Sequence, residues 1–199
     1  MLTMPTIREI AGLPDTPAKF SESVLIMIDC QNTYREGVMQ LEGVEEALLN
    51  AQRLLERARM SNIPIFHIQH DAGVGSPYDL TATNGQIVDV VAPEGSEPVI
   101  VKNYPDSFAS TSLKDQLDAT GRKNLILAGF MSHMCVSSTA RGGFDRGYGI
   151  TIVDNTTATR ALPDGHGGTI PASEVHRASL RGLADLVAII VDDEEQIAD

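Results

Sequence analysis

No stretch of about 18 consecutive apolar residues occurs anywhere in this chain, so a membrane-spanning helix is not expected. The start has no charged, apolar, small-residue order of a secretory leader, and the expected location is cytoplasmic. Cysteine is scarce. Two residues, Cys30 and Cys135, cannot make a disulfide framework. Basic side chains are outnumbered, 15 against 27 acidic, and the net charge of −12 disfavours nucleic acid and anionic membranes as partners. Internal repeats, low-complexity tracts and a composition break are also missing, so the expectation is one domain over residues 1–199, with 1–23 as an N-terminal arm lying on the surface or on a partner subunit. Part of the negative charge sits in Asp192-Asp193-Glu194-Glu195, which reads as a solvated tail.

What is there is an alternation of short apolar strands and amphipathic helices in a chain that is 42% hydrophobic. Val24–Ile28 reads as a buried strand. Val44, Leu48, Ala51, Leu55 and Ala58 then recur at helical spacing. Further strands are expected at Ile63–Ile68, Pro98–Val101, Asn124–Gly129, Ile150–Val153 and Val187–Val191. Further helices are expected near Thr111–Ala119, from Ser132 to about Tyr148, and near Ala172–Leu183. Six strands without polar alternation predict an α/β fold: a three-layer, doubly wound, mostly parallel sheet with helices on both faces.

Three strand ends carry reactive side chains. Asp29 follows the first strand, Lys102 the third, and Cys135 lies just beyond the fourth. Singly, each has a plain alternative: a turn-capping aspartate, a solvated lysine, a small buried cysteine. Ser132 is a suitable N-cap, which would put Cys135 in a first helical turn where unpaired N–H groups and the helix dipole favour a thiolate. A carboxylate, an ammonium and a thiol gathered at the carboxyl edge of one sheet could activate a sulfur nucleophile and handle its proton. Cys30 should point to the opposite side of its strand from Asp29 and stay reduced and buried.

These motifs resemble the isochorismatase-like cysteine hydrolases, which include nicotinamidases, N-carbamoylsarcosine amidohydrolases, and biuret and ureidoacrylate hydrolases. The resemblance runs from about Val24 to Val191. It rests on Asp29-x-Gln31-Asn32, on Lys102-Asn103-Tyr104-Pro105-Asp106-Ser107-Phe108, and on Gly129, Cys135-Val136, Thr139-Ala140 and Gly147. It implies Cys135 as nucleophile, Asp29 as the base that takes the thiol proton and returns it to the leaving amine, and Lys102 as the charge that holds the carboxylate and lowers the thiol's pKa. It also implies a cis peptide at Phe130–Met131 and an oxyanion hole from the backbone N–H groups of Met131 and Cys135.

Within such a family, members that open a vinyl ether need no nucleophile, whereas those that cleave amide-type C–N bonds need a thiol. The presence of Cys135 therefore favours hydrolysis of a small amide, ureide or lactam through a thioester. The alternatives are a vinyl ether hydrolase, a non-catalytic small-molecule-binding relative, and a thiol-redox role for Cys135. No cofactor is implied, and assembly as a homodimer or larger is expected. Nicotinamidases carry Asp-x-His…His after their second strand, whereas this chain has His67-Ile68-Gln69-His70-Asp71. No metal site is expected here; His67 is read as packed or hydrogen-bonded and His70 as lining the pocket. Gln31, Tyr34, Tyr104, Phe108 and His133 are the candidate substrate-binding residues, with edge-of-core packing as the alternative for the aromatics. The stretch Leu162–Pro171 is expected to be a loop, either one that closes over the site and carries His166 to it, one that meets a neighbouring subunit, or a plain connection.

Overall fold

The computed structural model describes residues 4–199. Six strands form one sheet: β1 (Ser23–Ile28), β2 (Ile65–His70), β3 (Val99–Lys102), β4 (Asn124–Phe130), β5 (Gly149–Ala158) and β8 (Ile189–Val191), in the order β3-β2-β1-β4-β5-β8. All five pairings are parallel. A helix-rich crossover is needed between parallel strands, and the helical periodicity supplies it. The chain winds outward from β1 to β3, then returns to build from β4 to β8. The reversal falls between β1 and β4, the position at which open α/β sheets bind ligands.

Alternate residues of the strands enter two separate cores. Leu25, Met27, Ile126 and Ala128 pack under α2 (Val44–Met60) through Leu48, Ala51, Leu55 and Ala58. Val24, Ile26, Ile28, Leu125 and Leu127 pack under α3 (Leu113–Thr120), α4 (Ser137–Asp145) and α5 (Ala172–Ala184). Burial on both faces accounts for the unbroken apolar runs of these strands. None of the helices described is long and apolar enough to cross a membrane.

Two local expectations need correction. Residues Leu162–Pro163 (β6) and Thr169–Ile170 (β7) pair antiparallel as a small exposed hairpin, with Gly165 and Gly167 at positive φ in its tip. The acidic tail is not simply solvated. Glu194 is buried, Arg57 donates to the Glu194 and Ile197 carbonyls, and Ile197 is in the core. In the arm, described from residue 4, one helical turn, α1 (Ile7–Ile10), is pinned by Arg8, whose guanidinium donates to the Leu186 carbonyl at 2.8 Å.

Candidate active site

Asp29 follows β1 with φ of +48°, in the left-handed region, while its N–H still donates to Ile68 at 3.0 Å. Aspartate is among the few residues that tolerate this region, so the chain can leave the strand sharply and turn the carboxylate inward. Across the switch point Gly129 has φ of +110°, and a Cβ there would lie 2.0 Å from the Ile28 carbonyl oxygen. Only glycine allows β4 to come so near β1 at the level of Asp29.

Lys102 ends β3, two strands away. Its side chain spans the end of β2, and Nζ lies 2.7 Å from Asp29 Oδ2, 3.3 Å from Cys135 Sγ and 3.0 Å from His70 Nδ1. Asp29 is 0% exposed, Lys102 1% and Cys135 6%. Desolvating both charges is costly, and their attraction in a low-dielectric interior offsets it only with good geometry. Here the offset is incomplete. The ion pair is close, yet neither Asp29 oxygen accepts a well-aligned hydrogen bond among the described residues. Burial pushes the Asp29 carboxyl above its usual range, and the Lys102 charge opposes that shift.

Cys135 sits in a π-helical turn, Ser132–Val136, that leads into α4; the Val136 N–H reaches back five residues to the Met131 carbonyl at 3.2 Å. Met131, not Ser132, precedes the turn as its cap, and Ser132 makes no capping bond. The Phe130–Met131 peptide is cis. The surroundings of Cys135 act against the expected thiolate. Burial raises the Cys135 thiol, the Asp29 charge raises it further, and Lys102 opposes both without prevailing. A helix end shifts a pKa modestly, and removal from water outweighs it. Burial and the neighbouring carboxylate thus favour the thiol over the thiolate.

Cys30 lies in the core on the opposite face of the sheet from Cys135. Its thiol is also raised by burial, and Sγ contacts the Ile28 carbonyl at 3.8 Å. Two sulfurs on opposite faces lend no support to a redox pair.

The surrounding candidates divide. Gln31 neither orients Asp29 nor faces a ligand. Its carboxamide donates to the His70 and Gly85 carbonyls at 2.9 and 2.8 Å and accepts the His70 N–H at 2.9 Å. Asn32 donates to Thr83 and Gln69 to Gly85. These carboxamides stitch the long 71–98 connection onto the sheet edge, which accounts for the Asp-x-Gln-Asn pattern in structural terms. That connection carries Tyr78, whose hydroxyl meets Tyr34 Oη at 3.2 Å and whose ring stands edge-on to His70 at 4.8 Å. Tyr34 is therefore beside the site. Burial, then the Asp29 charge, pushes its hydroxyl well above the ordinary value.

Tyr104 is 55% exposed and makes no wall. Phe108 is buried but stacks on Tyr148 at 5.9 Å beneath Arg146, so it packs the core instead. His133 is half-buried, its Nδ1 2.5 Å from Thr159 Oγ1. His67 contacts Glu97 at 2.9 Å, whereas His70 borders the three reactive groups as a neutral ring, its pKa lowered first by burial and then by Lys102. His166 stands exposed on the β6–β7 hairpin and makes no side-chain hydrogen bond to any described residue.

Tyr78 and Arg160 are site residues that sequence reasoning misses. Arg160 follows β5, a strand end like those of Asp29 and Lys102, and that position is the available signal. Its Nε is buried without a partner among the described residues, and its charge acts on His133 and Tyr78. Tyr78 lies in an irregular connection with no periodic signal.

Comparison with known proteins decides the family. The isochorismatase domain profile matches residues 23–195. The chain belongs to the isochorismatase family. Among curated relatives of this isochorismatase-family hydrolase, a secreted isochorismatase effector of Verticillium dahliae is 33% identical, with 96% of this chain and 99% of that one covered. A streptothricin hydrolase of Streptomyces noursei is 31% identical over 83% of this chain and 61% of its own. A crystal structure of an isochorismatase from Pseudomonas putida KT2440 superposes with a TM-score of 0.92 at 38% identity, covering 95% and 97% of the two chains.

Proposed function

We propose that this hydrolase cleaves a C–N bond of a small amide, ureide or lactam, with Cys135 as nucleophile, Asp29 as proton acceptor and donor, and Lys102 as the charge that keeps Asp29 ionised until needed. The observation that carries the reading is one ammonium placed 2.7 Å from Asp29 Oδ2 and 3.3 Å from Cys135 Sγ, all three groups buried. A carboxylate without aligned donors among the described residues keeps lone pairs free to take the thiol proton, which burial favours keeping on the sulfur until then.

Sγ would attack the carbonyl carbon as its proton passes to Asp29, and the N–H groups of Met131 and Cys135 would receive the negative oxygen. Protonated Asp29 would return the proton to the leaving nitrogen, freeing an amine or ammonia and leaving a thioester. A water molecule, deprotonated by Asp29, would then hydrolyse the thioester and restore the thiol. The buried Arg160 Nε, without a partner among the described residues, supports a substrate that carries a hydrogen-bond acceptor or negative charge away from the scissile bond. The relative named streptothricin hydrolase supports hydrolysis of a small molecule.

The test is an ammonia- and amine-release screen over small amides, ureides and lactams, with Cys135→Ala alongside. Turnover of at least one compound that disappears in the variant is the expected result. Turnover that survives Cys135→Ala would overturn the thioester route and favour direct attack by water, as in vinyl ether hydrolysis.

A further inference from the structure

Ser132, His176 and Asp154 come from three different elements and form one hydrogen-bonded chain. His176, on α5, places Nε2 2.7 Å from Asp154 Oδ1 on β5 and Nδ1 3.1 Å from Ser132 Oγ in the π-helical turn. An ionised carboxylate only accepts, so Nε2 carries the proton. Nδ1 meets the Ser132 hydroxyl, which can donate to it or accept from it, so the chain of contacts holds in either protonation state. Ser132 is 0% exposed, so this is no second serine nucleophile despite the residue types. Its hydroxyl is held on the residue that joins Met131 to the cysteine turn. His176 also lines a cavity of about 270 Å³ with Glu42, Gly43, Thr157, Thr159 and Ser173.

We infer that His176 is a positioning residue: through Ser132 it holds the Met131–Ser132 backbone so that the Met131 N–H stays aimed at the oxygen of a tetrahedral adduct on Cys135. The inference rests on the cysteine-hydrolase reading above. A turn free to shift by a few tenths of an ångström keeps its nucleophile but loses aligned donors. Removing a whole oxyanion donor costs about 10²–10³-fold, and misaligning one should cost about tenfold.

An aldehyde separates the two roles. A small aliphatic aldehyde adds the Cys135 thiol across its carbonyl to give a thiohemiacetal: the C–S bond forms, the thiol proton ends on the former carbonyl oxygen, and nothing is oxidised. That hydroxyl oxygen still accepts from the two backbone N–H groups, so the adduct's stability depends on their alignment. Iodoacetamide alkylation of the same sulfur, with iodide leaving, does not. Propionaldehyde protection of Cys135 against iodoacetamide, read by mass spectrometry, is therefore measured in the wild type, His176→Ala and Ser132→Ala. Both variants should need about ten times more aldehyde for half-protection, with the unprotected alkylation rate unchanged within about twofold. Imidazole should restore protection in His176→Ala by entering the cavity, and should not help Ser132→Ala.

Equal protection in wild type and Ser132→Ala, which only trims a hydroxyl and so folds even where His176→Ala does not, would overturn the positioning role while leaving Cys135 as nucleophile. Protection lost together with alkylation would also overturn it, as general damage to the turn. Absence of protection in the wild type would remove the cysteine reading and this inference together.

Discussion

His67 and His70 lie three residues apart on β2 and, by the alternation of a strand, face opposite sides of the sheet. Their surroundings differ in one respect, the completeness of hydrogen bonding. His67 meets Glu97, which is held again by the Arg59 guanidinium at 2.8 and 2.9 Å and by the Glu94 N–H at 3.0 Å. Burial alone would raise Glu97, but the bonds from Arg59, the Glu94 N–H and His67 together hold its carboxyl at about 2. His70 instead borders Lys102, and Lys102 borders a carboxylate with no aligned donor and a raised thiol. One face of the strand holds charges that are satisfied and stabilising. The other holds charges left short of partners, which costs stability and keeps them available for proton transfer.

The largest test of this contrast is Cys135→Ala beside Glu97→Gln. The first should lower hydrolysis by about 10³-fold or more with the fold intact; the second should leave hydrolysis within about threefold while lowering the melting temperature. A reversal of those two outcomes would break the comparison. Next comes the double variant Asp29→Asn with Lys102→Met. Replacing a poorly satisfied buried ion pair is often neutral or stabilising by about 1–4 kcal/mol, so this inactive protein should melt no lower than the wild type. A loss of more than about 3 kcal/mol by urea denaturation would show that the pair is well satisfied after all.

A third test reads the thiol alone. Lys102 pulls the Cys135 pKa down, so Lys102→Ala should move the pH profile of iodoacetamide labelling to higher pH, and in the wild type Cys135 should label faster than buried Cys30. An unchanged profile would remove the lysine from its role. The smallest effect concerns Glu97 and pH. A carboxyl whose folded pKa is about 2, below an unfolded value near 4.3, contributes stability above about pH 4 and loses it as pH falls towards 2. The melting-temperature gap between wild type and Glu97→Gln should therefore narrow between about pH 5 and pH 2. A gap that widens would contradict the assigned direction.

Strands with both faces buried are legible in the sequence, because burial on two sides demands continuous apolar runs such as Val24–Ile28 and Leu125–Ala128. The β6–β7 hairpin reads as loop because pairs of two residues have no period. β5 reads as four residues and runs to ten, since its second half, Asp154–Ala158, continues past a register shift against β4 with polar residues, of which Asp154 meets His176 and Thr156 and Thr157 donate to backbone carbonyls. The roles of the carboxamides escape the sequence for a different reason. The family resemblance puts Gln31 in the site, but which carbonyls a buried amide meets depends on a connection folded back from 54 residues further along.

The order of charged strand ends was determined by the chain itself: a carboxylate, a lysine and a cysteine, each after an apolar strand, in a sequence whose periodicities allow a parallel sheet. Tertiary structure decided that Lys102 bridges the end of β2 to reach both partners, and that burial pushes the thiol up. Strand order and depth of burial set those outcomes, because a pKa answers to lost water and to charges a few ångströms away, and neither is written in sequence spacing.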